Sequence, residues 1–186
     1  MRLFTGLDLP MNIAGTLAAW QDSLRRLEPQ TVRWSPVENL HITTKFLGDW
    51  PDSRLAELIQ VLDTEVPRPA AFTVELAGVG SMSNAHHGRI IYAVVECQTG
   101  ELEKLAAATS KVLFRRLGIA EETRAYLPHI TLGRAKQDSA SLRTAIDGFT
   151  VEPLQLSVND FYLYRSEPAT GAASGTVYSK LSRFPL

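Results

Sequence analysis

Residues 40–48 read LHITTKFLG and residues 128–134 read PHITLGR, so the triplet His-Ile-Thr occurs twice in a chain with four histidines. Both stretches carry the β-branched residues of a short strand. On a strand, residues i and i+2 project from one face. His41 and Thr43 therefore point together, with Ile42 on the opposite side, and His129, Thr131 and Ile130 repeat the arrangement. The ordinary pKa of histidine lies near neutral pH, so a matched pair suits proton transfer.

Outward from each triplet the pattern is also repeated. RLFTGLDL reads as a strand, and after Pro10 the residues Ile13, Leu17, Trp20, Leu24 and Leu27 form one helical stripe. TVRWS and NLHITTKFLG are strands. A second helix follows Pro51, with Leu55, Leu58, Ile59, Leu62 and Val66 on one face, and FTVELAGVG is the next strand. SMSNAHHG is turn-rich and predicts an exposed loop carrying His86 and His87. RIIYAVVEC then restarts the series as a strand. Thr99 is the expected N-cap of the next helix, with Glu101 and Glu103 in its first turn. The stripe Leu102, Leu105, Val112, Leu113 and Leu117 stops at Gly118. YLPHITLGRA (strand), a short helix over 139–148, and the strands LQLSVNDFYLY and GTVYSKLSRF complete the chain.

The intervals match. His41 and His129 are 88 residues apart (129 − 41), Asp8 precedes His41 by 33 (41 − 8), and Glu96 precedes His129 by 33 (129 − 96). Such spacing predicts an internal repeat, roughly 1–88 and 89–186. No linker-like or low-complexity segment divides the halves, so 1–186 reads as one domain. The late strands and the half-polar alternation in LQLSVNDFYLY favour antiparallel pairing. The expected fold is α+β, with two pseudo-symmetric lobes. Each is a mostly antiparallel sheet with helices on its outer face, and the cleft lies between them.

Composition narrows the function. The 186 residues are 45% hydrophobic and 21% charged, as in ordinary soluble globular proteins. No apolar run approaches the roughly 18–20 residues of a membrane helix, and MRLFTGLDLP has no signal-peptide pattern. The lone Cys97 excludes an internal disulfide and suits a reducing compartment, so a cytoplasmic location is expected. Its apolar run IIYAVVEC predicts a buried, inert thiol. A net charge of −1 excludes a broad basic face for wrapping long nucleic acid. A nucleic-acid partner would be short or held at one end. Nothing implies a membrane or an obligate protein partner.

A pseudo-twofold between the lobes would set two imidazoles and two hydroxyls across one cleft. That set suits in-line displacement at phosphorus. One imidazole takes a proton from water, the other protonates the leaving oxygen, and the hydroxyls hold nonbridging oxygens. No cofactor is needed. A metal would need a third or fourth ligand, yet no carboxylate or cysteine lies within four residues of His129, so none is expected. The G-x-S-x-G of many serine hydrolases is absent. Lys45 shares the strand parity of His41 and Thr43, which makes it a candidate phosphate contact. Trp34 and Tyr126 precede the motif strands and are candidates to stack a nucleobase, with core packing as the alternative. Arg25-Arg26 and Arg115-Arg116 read as solvated helix faces.

With MRLFTGLDLP, VRWSPVENLHIT, the FLG after the first motif and PHITLGR, the chain resembles the LigT-like branch of the two-histidine phosphoesterases. These are the bacterial and archaeal RNA 2′,3′-cyclic phosphodiesterases, also described as 2′-5′ RNA ligases. The resemblance spans nearly the whole chain except its C-terminal third. It implies that His41 is the general acid for the 3′ oxygen and His129 the base for water, with a 2′-phosphate as product. It implies RNA ends as substrate, with small cyclic nucleotides or cyclic ADP-ribose phosphate, or non-catalytic RNA binding, as alternatives. Arg134 corresponds to a family arginine implicated in phosphate binding. Strict alternation points it away from His129, so it reaches the cleft only if the strand bends at Gly133. Thr44 departs from the usual apolar residue of the first motif. Facing away from the cleft, it predicts a local packing change.

Overall fold

The apolar stripe after Pro10 forms helix α1 (Met11–Leu27) in the computed structural model, which describes residues 1–27, 32–83, 88–137, 139–169 and 175–186. His86 and His87 lie outside those residues. The other helices are α2 (Leu55–Thr64), α3 (Glu101–Leu117) and α4 (Ala140–Asp147). Leu17, Leu58, Leu62, Leu102, Leu105 and Leu113 are fully buried along their inner faces, each worth on the order of 2 kcal/mol of burial. Helix α3 ends where expected, at Gly118 in the left-handed region (φ 71°). It begins one residue later than expected. Gly100 (φ 76°) takes the cap position, and the Thr99 hydroxyl bonds Glu101 instead.

Nine strands are described: β1 (Arg2–Leu7), β2 (Val32–Trp34), β3 (Ile42–Asp49), β4 (Phe72–Ser83), β5 (Arg89–Glu96), β6 (His129–Ala135), β7 (Leu154–Val158), β8 (Asp160–Pro168) and β9 (Thr176–Pro185). They form one antiparallel sheet in the order β7-β4-β5-β6-β3-β1-β8-β9, with β2 added on β6. The fold is α+β with two pseudo-symmetric lobes, β7-β4-β5-β6 and β3-β1-β8-β9, and helices on one side of the sheet. LQLSVNDFYLY is two strands, not one: it breaks at Asn159, β7 pairing with β4 and β8 with β1. The chain thus changes lobes within this stretch.

Neither lobe is a contiguous half of the sequence. From the β3/β6 junction outward, the strands read β1 then β8 in one direction and β5 then β4 in the other. Strand β4 therefore belongs to the lobe of β5 and β6, and the β8–β9 hairpin to that of β1 and β3. The helices cross over as well, α1 packing on β6 and α3 on β3. The lobes meet through a ladder one pair long, Ile42↔Ile130, and both isoleucines are fully buried. Because successive side chains alternate, the residues flanking these isoleucines emerge on the opposite, helix-free face. No helix among the described residues is long and apolar enough to cross a membrane.

Candidate active site

On that face, His41, Thr43, His129 and Thr131 line one groove of about 520 Å³. His41 Nδ1 lies 2.7 Å from the Asn39 carbonyl oxygen, and His129 Nδ1 lies 2.8 Å from that of Leu127. A carbonyl only accepts, so each Nδ1 carries the proton and donates. The same tie, two residues back, leaves each Nε2 available to the groove. Thr43 Oγ1 is 2.9 Å from His41 Nε2. His129 Nε2 has no partner among the described residues. Among those residues no acidic side chain lines the groove, whereas Arg33, Arg124 and Arg134 do, which suits an anionic ligand. A hollow of about 580 Å³ elsewhere is lined by Glu75, Glu96 and Glu101, which does not.

The two imidazoles differ in surroundings. Phe4 lies 4.7 Å from the His41 ring, Tyr164 5.9 Å, and Tyr178 edge-on at 5.0 Å. His129 has Tyr92 at 5.6 Å. Burial holds the His41 pKa below the ordinary 6.5. The hydrogen bond to Asn39 opposes this, nearby His129 lowers it further, and Asp8 opposes. Asp8 pairs with Lys180, and with burial it raises the Tyr164 phenol.

Lys45 does not reach the groove. The β1–β3 ladder pairs Gly6 with Thr43 and Thr5 with Lys45, skipping Thr44. This bulge inverts the parity of Lys45 and Phe46, up to a second irregularity at Leu47. Lys45 is 8% exposed, and its Nζ donates to the Ala120 carbonyl at 2.6 Å. Burial lowers its pKa against the charges of Glu122 and Glu121. Phe46 takes its place on the groove. Thr44 turns inward as expected, its hydroxyl 2.8 Å from that of Thr5. This buried polar pair stands where the second motif has apolar Leu132.

Arg134 does reach the groove, by the equivalent irregularity. The β5–β6 ladder pairs Tyr92 with Thr131 and Ile91 with Gly133, skipping Leu132. The buried Gln21 side chain donates to the Leu132 and Ser35 carbonyls at 2.9 and 2.8 Å, and the Ser35 N–H also donates to Leu132. A Cβ on Gly133 would stand 2.7 Å from Val32 Cγ1 and 3.1 Å from the Trp34 ring, so the close approach of β2 needs glycine there. The bend thus sits at Leu132-Gly133, as the arginine requires.

Trp34 lines the groove but packs on Gly133, with the Arg25 guanidinium 5.7 Å from its ring centroid. Tyr126 is not at the groove. Its hydroxyl donates to the Thr43 carbonyl at 2.8 Å, and burial raises its pKa. Cys97 is half-buried, less than its apolar run suggested. Phe46, Arg33, Arg124 and Tyr178 line the groove without a sequence signal of their own. For Phe46 the signal lay in the repeat, since it follows His41 by five residues as Arg134 follows His129 (46 − 41; 134 − 129).

Known proteins resemble the chain in sequence and in fold. The profile of the family described as LigT like Phosphoesterase matches residues 7–92. An RNA 2′,3′-cyclic phosphodiesterase of Thermus thermophilus is 30% identical over 192 residues, covering 100% of this chain and 90% of that protein. One from Methanocaldococcus jannaschii is 27% identical over 187 residues, covering 99% and 100%. Among solved structures, TT0787 of Thermus thermophilus superposes with a TM-score of 0.79 at 28% identity, over 100% of this chain and 98% of that one. E. coli LigT complexed with 3′-AMP gives 0.76 at 25% identity, over 100% and 97%. Matched along its whole length in sequence and fold, the chain belongs to the LigT-like phosphoesterases.

Proposed function

We propose that the chain hydrolyses 2′,3′-cyclic phosphodiester ends of RNA to 2′-phosphomonoesters by paired-histidine acid–base catalysis. Water oxygen bonds to phosphorus as the P–O3′ bond breaks in line with it. His129 Nε2 takes the water proton, and His41 Nε2–H protonates O3′. Thr43 and Thr131 hold the nonbridging oxygens, and Arg134 offsets the phosphate charge. A ribose hydroxyl in place of water gives reversible 2′-5′ ligation by the same steps. The observation that carries the reading is the pair of imidazoles, each tied through Nδ1–H to a carbonyl and offering Nε2 to one groove that no acidic side chain lines among the described residues. The names of the relatives and the 3′-AMP complex of E. coli LigT support an RNA end as ligand. The matched intervals and mirrored strand order support an origin of the domain by internal repeat of 1–88 and 89–186.

One observation favours reversed roles. His41, with its lowered pKa, is neutral near pH 7 in the free protein, as a base must be. The acid assignment requires the bound phosphodiester to restore the proton by its negative charge. The test is an assay of 2′,3′-cyclic AMP beside an oligonucleotide ending in a cyclic phosphate, with EDTA present. Turnover to the 2′-phosphate, unaffected by chelation, is expected. A preference for the mononucleotide would redirect the substrate to small cyclic nucleotides. Turnover of neither would refute catalysis and leave a binding module. A p-nitrophenyl phosphodiester, whose leaving group needs no proton, decides the roles. It should partly rescue His41→Ala but not His129→Ala, and the converse would reverse them.

A further inference from the structure

In a regular strand, residues three apart face opposite ways. Thr131 and Arg134 therefore share the groove only because the β5–β6 ladder skips Leu132. Something must hold the skip in place. Among the described residues the buried polar side chains are Thr5, Gln21, Thr44, Lys45 and Thr109. All but Thr109 sit at the two bulges. Thr5, Thr44 and Lys45 belong to the one on β3, and Gln21 bonds to the one on β6. Gln21 is the one polar residue on the buried stripe of α1, among Ile13, Leu17, Trp20 and Leu24, and it is 3% exposed. Burying an amide is unfavourable unless its hydrogen bonds are replaced. Here the Nε2 group donates to the Leu132 carbonyl at 2.9 Å and to the Ser35 carbonyl at 2.8 Å. The Ser35 N–H donates to the same Leu132 carbonyl at 2.9 Å. The skipped residue is thus stitched to the end of β2, whose Arg33 stands opposite Arg134.

We propose that Gln21 is the positioning residue of the phosphate site: its amide holds the skip at Leu132 and so aims Arg134 into the groove beside Thr131. The proposal rests on the reading of Arg134 as a phosphate contact given above. Gln21 itself does not line the groove. Without the skip, strict alternation sends Arg134 to the face opposite Thr131. That face is the apolar core, where an unpaired guanidinium is too costly to desolvate. The strand end would then be held in neither register, and Arg134 would lose its fixed direction. The histidines keep theirs, because the Asn39 and Leu127 carbonyls set both rings. The loss should therefore fall on KM and spare kcat.

The experiment is a double-mutant cycle of Gln21→Met and Arg134→Met on 2′,3′-cyclic AMP, reading kcat and KM. Methionine keeps the reach of the side chain and removes both donors. Gln21→Met alone should raise KM by roughly 3- to 30-fold with kcat within about twofold, as for residues coupled through a shared backbone shift. In the Arg134→Met background it should raise KM by less than about twofold, because the side chain it aims is gone. Thr5→Val is the control. It unpairs the Thr44 hydroxyl at the other bulge, and its effect should multiply with that of Arg134→Met. A merely structural role gives a different pattern, since a smaller folded fraction lowers apparent kcat and leaves KM unchanged. That pattern overturns the proposal, and so do Gln21→Met and Arg134→Met effects on KM that multiply. If Gln21→Met does not fold, Gln21→Asn enters the cycle with the same expectations, its amide one methylene too short to reach both carbonyls. Two failures lie earlier and are read before Gln21 is altered. Wild-type kinetics in Arg134→Met overturn its phosphate contact, and a wild type inactive on this substrate overturns the proposed reaction.

Discussion

Lys45 and Arg134 exchange the roles that strand parity assigns them, and removing each cation in turn tests this. On the proposed reading Arg134→Met loses a charged hydrogen bond to substrate in an open groove, worth about 1.5–3 kcal/mol, so kcat/KM should fall by roughly 10- to 150-fold. The Arg134 side chain is exposed, so stability should hardly change. In Lys45→Met the lost bond is internal, to Ala120. Its loss is partly offset because an ammonium no longer has to be desolvated. A net cost of about 1–2 kcal/mol corresponds to a Tm lower by roughly 2–8 °C for a chain of this size. Its kcat/KM should stay within about threefold of wild type, since the two sites share no partner. Steady-state kinetics on 2′,3′-cyclic AMP and calorimetric melts give both readouts for both variants. A tenfold or greater loss of kcat/KM in Lys45→Met with an unchanged Tm would place the ammonium on the substrate. The bulge at Thr44 would then be wrong.

His41→Ala and His129→Ala should each lower turnover by roughly 10²–10⁴ with folding retained; near wild-type kcat at saturating substrate in either would refute paired acid–base catalysis. The histidine pair should give a bell-shaped kcat/KM profile whose limbs belong to the pair, and the lowered pKa of His41 places one limb below 6.5. The same limb in kcat should lie higher, because the bound anion favours the imidazolium; rate profiles from pH 4.5 to 9 for both parameters check this. Gly133→Ala places a methyl group 2.7 Å from Val32 Cγ1 and should cost about 1–3 kcal/mol in urea unfolding. It should also raise KM by shifting Arg134, and an unchanged urea midpoint would contradict the packing of β2 on β6.

Much of the molecule follows from local pattern. The helical stripes after Pro10 and Pro51 and before Gly118, the antiparallel strands, and the common face of His41 with Thr43 and of His129 with Thr131 all rest on periods of 3.6 and 2. Those periods are properties of the chain itself. The tie of each Nδ1 to the carbonyl two residues back is equally local. What only the tertiary structure decided depends on which strand lies alongside. Each bulge is a mismatch between partners, Thr44 against β1 and Leu132 against β5, stabilised by groups distant in sequence: Thr5 for one, Gln21 and Ser35 for the other. A bulge inverts the parity of the residues that follow it up to the next irregularity. Alternation therefore placed Lys45 at the phosphate, while the fold brought Phe46 and Arg134 to the groove instead. The break at Asn159 is of the same kind. Asn159-Asp160 are turn-prone residues that mark a break in LQLSVNDFYLY, but they do not say where the two strands go, which is β7 onto β4 and β8 onto β1, in different lobes.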